Sequence, residues 1–198
     1  MGCGGDANPL PRSKVELCMK YGRELADAVE GALDGGLKPI AGDSAAKYAT
    51  IALPLDKIPG RDKWTADRAS KQYAVRTRAQ RYLKMLDKGD KIDDHYRWYP
   101  VQVWRLGELT WVALGGEVVV DYDLRLKREL GRDRQLWIAG YANDVMAYIP
   151  SLRVLKEGGY EGGGAMVYYG LPTVWGPKVE DVIVAAVHEQ VKKVRDGK

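Results

Sequence analysis

Glu117 has the sequence setting most suited to chemistry in this 198-residue chain: it follows Leu114-Gly115-Gly116, an apolar run broken by two glycines. Paired glycines let a backbone turn sharply beside a carboxylate. A second setting is Gly140-Tyr141-Ala142-Asn143-Asp144, which follows the apolar run Leu136 to Ala139 and is followed by Tyr148. In open α/β sheets, ligands bind beyond the carboxyl ends of strands, where loops and helix N-termini converge. If the strands ending at Leu114 and Ala139 are parallel neighbours, Glu117 and the Tyr141–Tyr148 stretch share one edge. Their plain structural readings are a favourable charge at a helix start for Glu117 and loop formation for Asn143 and Asp144.

Other reactive residue types form no such pattern. The glycine-rich run Gly158 to Gly164 holds Tyr160 and Glu161 but lacks the Gly-Lys-Ser/Thr ending of a phosphate loop. His95 lies in the charged stretch Asp93-Asp94-His95-Tyr96-Arg97, read as a loop, and His188 on the last helix, read as a packing or surface residue. They make no metal site by spacing. Cys3 and Cys18 form no Cys-x-x-Cys and no disulfide framework. The chain opens on a glycine-rich turn, Gly2 to Pro9, either a leader or an internal loop of something longer.

The elements that must position these residues follow from periodicity and punctuation. Helical spacing of Leu17, Tyr21, Leu25, Ala28 and Val29 predicts a helix from about Ser13 to Leu33 with one face buried. Ser13 and Glu16 have capping-box spacing. An extended stretch spans Ala49 to Leu55, and a basic helix runs from Thr65 to Leu86 with Tyr73, Tyr82 and Leu83 inward. Strands are expected at Pro100 to Arg105, Leu109 to Leu114 and Gln135 to Ala139. A helix from Glu117 ends at Gly131, a short one covers Ser151 to Lys156, and a last amphipathic helix follows Pro177. Strands alternating with helices give an α/β class: a mixed β-sheet with flanking helices in a single domain.

Composition narrows the function classes. Hydrophobic residues are 45% and charged residues 29%, a globular mixture, and the net charge of +4 is too mild and dispersed to indicate nucleic acid. No apolar run reaches the roughly 18 residues of a membrane span. Phe is absent, whereas Tyr (12) and Trp (6) are abundant, so the aromatic bulk carries polar tips that need partners.

Four motifs in order carry a resemblance: Gly-Cys-Gly-Gly-Asp-Ala-Asn-Pro (2–9), Leu-Gly-Gly-Glu (114–117), Gly-Tyr-Ala-Asn-Asp-Val-Met-Ala-Tyr (140–148) and Gly-Tyr-Glu-Gly-Gly (159–163). The series resembles the neutral/alkaline non-lysosomal ceramidases, their divergent bacterial members above all. It covers essentially the whole chain but only the second half of that family's catalytic domain, with no immunoglobulin-like C-terminal domain in residues 1–198. The resemblance implies a zinc amidase that cleaves the N-acyl bond of ceramide. Its zinc would be held by two histidines from the earlier half, a Glu matching Glu117 and a Tyr matching Tyr148. Tyr160 falls at the position of a tyrosine that stabilises the tetrahedral intermediate. Asp6 and Asn8 occupy the catalytic Gly-Asp-x-Ser-Pro motif, with Asn8 in place of the serine, which favours attack by metal-activated water over an acyl-enzyme. His95 and His188 lie outside the motifs, so the zinc site is incomplete in this chain.

The same resemblance implies a ceramide-like lipid amide as substrate, contact with a membrane surface, no nucleic acid, and a secreted or extracytoplasmic setting. It also implies a missing N-terminal half of the catalytic domain as partner. The alternative is a non-catalytic fragment, or a lipid- or glycan-binding module of the same fold with Trp98, Trp104, Trp111 and Trp175 as platforms.

Overall fold

The computed structural model describes residues 1–131 and 135–196. In chain order the elements are α1 (Val15–Asp34), β1 (Ser44–Pro54), α2 (Arg61–Asp67), α3 (Tyr73–Asp87), β2 (His95–Leu106), β3 (Leu109–Leu114), β4 (Glu117–Val118), α4 (Val120–Leu130), β5 (Leu136–Ala139), β6 (Tyr148–Ile149), α5 (Leu152–Glu157) and α6 (Val179–Asp196), with a 3-10 turn at Gly164–Val167 before α6. Arg132–Arg134 and Gly197–Lys198, parts of the expected 1–198 unit, lie outside the described residues.

Four strands form a mixed sheet in the order β1-β2-β3-β5. β1 and β3 flank β2 antiparallel, and β5 joins β3 in parallel. The β3–β5 connection runs through α4, the crossover a parallel pair requires. This is the α/β class expected from the sequence, with the two site-bearing strands as parallel neighbours. Alternation then sorts the side chains. Val101, Val103, Val112, Leu114 and Ile138 turn to one face, where Ile183, Val187, Val191 and Val194 of α6 join them in the main core. Each fully buried branched side chain there contributes about 1.5–3 kcal/mol relative to exposure. On the other face Trp104, Trp111 and Trp137 fall in one cross-strand row. Trp111 and Trp137 are stacked, with centroids 5.3 Å apart.

Several expectations need correction. The long basic helix is two, α2 and α3, broken over 68–72, and Tyr73 is exposed while Tyr82 and Leu83 are buried. Trp64 stacks on Tyr82 at 4.9 Å in a small separate core. His95 opens β2, paired with Pro54 of β1, because β2 continues past a register shift near Ile51/Leu53. Ser13 does not cap α1: its backbone is left-handed at φ 77°, and Lys14 takes the cap position without a side-chain bond. No residue of α1 is buried, so its expected packed face has no cover in the described chain. Trp175, one of the suggested platforms, is buried, and its indole N–H donates to the Tyr148 carbonyl.

Candidate functional site

Beyond the carboxyl ends of β3 and β5 the chain weaves two segments together. The Gly116 N–H donates to the Asp144 carbonyl (2.7 Å), Glu117 to Ala147 (2.8 Å) and Val119 to Ile149 (3.2 Å). Returning bonds run from Tyr141 to the Gly116 carbonyl (2.9 Å) and from Ala142 to that of Leu114 (3.0 Å). The result is the parallel pair β4–β6, with Glu117 directly opposite Tyr148.

Gly116 makes this possible. Its φ is +76°, and a Cβ there would stand 2.5 Å from Ile149 Cγ1 and 2.8 Å from the Ala147 carbonyl oxygen. The glycine pair therefore provides for close approach of β6. Glu117 follows on a strand, three residues before α4, and not at a helix start as expected. The first turn of α4 holds Asp121 and Asp123 instead.

The N-terminal motif packs against the same place. The Gly5 N–H donates to the Val118 carbonyl (2.9 Å), and a Cβ on Gly5 would lie 2.5 Å from the Glu117 carbonyl oxygen. Asp6 Oδ1 accepts the Val120 N–H at 2.9 Å, so a residue 114 positions away caps α4. The other Asp6 oxygen lies 3.8 Å from the Arg153 guanidinium. Asn8, two residues on, is exposed. Cys3 is buried in this region, and burial pushes its thiol up to about 12.

Tyrosines converge on the Glu117 carboxylate. The Tyr169 hydroxyl donates to Oε1 and the Tyr141 hydroxyl to Oε2 at 3.4 Å. The Tyr148 phenol lies near the same carboxylate, directly across the β4–β6 pair. Its ring meets that of Tyr160 edge to face, centroids 5.4 Å apart, and Tyr160 lies 6.2 Å from Tyr168. Burial, and then the nearby Glu117 carboxylate, push Tyr148 up to about 12 and raise Tyr169 as well. For Tyr141, burial acts first and the Glu117 charge second, in the same direction. These phenols are therefore donors at neutral pH, and the carboxylate is held by charge-assisted bonds. Beyond Tyr168 lies a cleft of ≈ 330 Å³ that includes Tyr73, Arg78, Arg81 and Val167.

Of the residues singled out in the sequence, Glu117, Tyr148 and Tyr160 come together. Asp6 borders the group as a helix cap, and Asn8 is not among the partners of Glu117. Asn143 and Asp144 turn elsewhere, to Gln102 (3.2 Å) and Tyr96 (2.9 Å). The histidines are also remote: His95 meets Asp94 at 2.7 Å and His188 meets Glu129 at 2.8 Å. Tyr169 is the member that sequence reading missed. It sits after a 3-10 turn with no periodicity to place it, and the only hint was the general need of buried tyrosine tips for partners.

No protein-family profile matches the chain, and no curated protein does. Among solved structures, the chain is similar to the neutral ceramidase from Pseudomonas aeruginosa, with a TM-score of 0.48 and 16% identity over 80% of this chain and 29% of that one. The chain thus spans under a third of that ceramidase's length.

Proposed function

We propose that this chain contributes the carboxylate–phenol half of a zinc-dependent amide hydrolase of the neutral ceramidase type, acting on ceramide or a related lipid amide. The observation that supports it is the register of Glu117 opposite Tyr148, with Tyr160 against the Tyr148 ring. Two residues far apart in sequence, each singled out by its motif, meet on one short parallel pair.

The donor set fits zinc in kind but not in number. Glu117 and Tyr148 offer two oxygens, and a catalytic zinc needs further protein donors besides the position left open for water. The remaining donors are two imidazoles carried by a further segment or partner polypeptide. Zinc, when bound, supplies Lewis-acid polarisation and brings the pKa of a water near 7. The residues of this chain do the positioning. Tyr141 and Tyr169 fix the carboxylate by donating to separate oxygens, so Glu117 needs little reorganisation to serve as ligand. Tyr148 would offer its phenol oxygen to the metal from directly opposite Glu117. The Tyr160 hydroxyl would donate a hydrogen bond to the oxyanion that forms at the substrate carbonyl. Asp6 holds the start of α4, and Asn8 offers an amide that can orient the carbonyl or a water.

The test is amidase turnover of the chain assembled with its imidazole-bearing partner segment, in zinc, across a panel of N-acyl lipids. Tyr160→Phe should lower turnover by about 10²–10³-fold with metal content unchanged, the effect of one lost oxyanion donor. Glu117→Gln should lose metal and turnover together. Full zinc occupancy in Glu117→Gln would remove the ligand assignment.

A further inference from the structure

Independently of the amidase reading, we infer that the cleft between α3 and the segment after the 3-10 turn binds an organic phosphate, a dianionic headgroup on a short apolar stem. The cleft measures ≈ 330 Å³, the size of a small-molecule site. One wall is a single face of α3, where Ala74, Arg78 and Arg81 recur at intervals of four and three. The facing wall holds Val167, Tyr168 and Gly170. Two side chains of α3 tie these walls together. The Tyr82 hydroxyl donates to the Gly170 carbonyl at 2.8 Å, and Arg78 Nη1 donates to that of Leu171 at 3.3 Å. A Cβ on Gly170 would stand 3.4 Å from Arg81 Nη1, so that guanidinium reaches the opposite wall. The site is thus built on a helix and on a loop fastened to it.

The cleft carries two guanidinium groups, and no carboxylate is among the described residues that line it. Arg78 is incompletely neutralised. Its side chain is only 16% exposed, and the carboxylate beside it, Asp67, lies 3.7 Å away. Lys63 draws on the same carboxylate through its other oxygen. Arg78 Nε is buried and has no hydrogen-bond partner among the described residues. Burial pulls this guanidinium below its ordinary pKa. Arg81 lies 5.5 Å from the Tyr82 ring, and no described carboxylate pairs with it. The rest of α3 adds Arg76 and Lys84 against Asp87, which is already held by Arg61. A cation partly withdrawn from water attracts an anion more strongly than an exposed one does.

The donors and the walls together define the ligand. Two guanidinium groups about one helical turn apart suit a dianion with several acceptor oxygens, whereas one guanidinium satisfies a carboxylate. The remaining lining is apolar or aromatic. Ala74 and Val167 lie within the cleft, and the rings of Tyr73 and Tyr168, 74% and 66% exposed, flank it. Such surfaces take a hydrocarbon stem and gain nothing from a bare inorganic ion.

Titration calorimetry of the full chain tests this with four probes: octyl phosphate below its micelle concentration, octanoate, inorganic phosphate and octanol. Octyl phosphate should fill one site, at least about 10-fold tighter than any of the other three. Arg81→Gln, at an exposed position, should weaken it about 10–100-fold by removing a charge-assisted hydrogen bond, with the melting transition in place. Lys84→Gln removes the same charge from the same helix outside the cleft, and should change the affinity less than about twofold. Any of four results overturns the inference: no saturable uptake of octyl phosphate, octanol binding as tightly, octanoate or inorganic phosphate matching it, or equal losses in the two variants.

Discussion

Replacing Gly116 by alanine separates backbone strain from crowding at the candidate site. The residue has φ +76°, where a side chain costs about 1–2 kcal/mol. Its new Cβ would also press on Ile149 Cγ1 at 2.5 Å and on the Ala147 carbonyl at 2.8 Å. Ile149 is fully buried and Ala147 contributes backbone, so neither yields by swinging into solvent. Overpacking of this kind costs about 1–3 kcal/mol. Together the terms reach about 2–5 kcal/mol, or roughly 5–15 °C in Tm for a chain of this size. Gly89→Ala is the matched control, since φ there is +81° and nothing lies within 4 Å of the added carbon. It should cost only the backbone share, about 1–2 kcal/mol. Urea unfolding of both variants, followed by tryptophan fluorescence, supplies the comparison. Equal losses would mean that β6 does not press on Gly116, and the Glu117–Tyr148 register would lose its basis.

Three further outcomes can be measured directly. Tyr148 at about 12, with Tyr169 also raised, means that the unfolded chain loses phenolic protons first. Stability should therefore fall as pH rises from about 10 toward 12, and be indifferent to these groups below 10; absorbance at the tyrosinate band, with Glu117→Gln lowering the onset of native titration, reads the effect. Asp6→Ala should cost about 0.5–2 kcal/mol by uncapping α4 while Asp6→Asn retains most of it, and equal losses in denaturant melts would contradict the capping role. A thiol reagent should titrate one cysteine in the native protein, exposed Cys18, and two after unfolding, because Cys3 is buried with its thiol pushed up to about 12; two fast thiols in the native state would show that the N-terminal segment is not packed.

Much of the frame was legible from patterns that local physics enforces. The β2–β3 hairpin and the break at Gly115-Gly116 follow from alternation and glycine punctuation, whereas the parallel pairing of β5, a condition of the shared edge, is fixed only by the fold. What the pattern could not show was where Glu117 sits. Helical periodicity begins at Val120, and only the bonds to Ala147 and Ile149 turn the preceding residues into a strand. The site was legible to the extent that its motifs were: Glu117, Tyr148 and Tyr160 are neighbours, whereas Tyr169 reaches the carboxylate through a fold-level contact 52 residues away in sequence. Amphipathicity correctly marked α1 as a helix and wrongly implied that this chain covers it, since periodicity reports a need for burial and not what meets it.

The stitch between Gly5-Asp6 and the β4–α4 junction ties together parts of the chain far apart in sequence. Gly5 and Asp6 grip Val118 and Val120 across more than a hundred intervening residues, a long-range closure that raises the contact order of the fold. Deleting residues 2–9 would strip the α4 cap and the Gly5 bond next to Glu117 without touching a single tyrosine around that carboxylate.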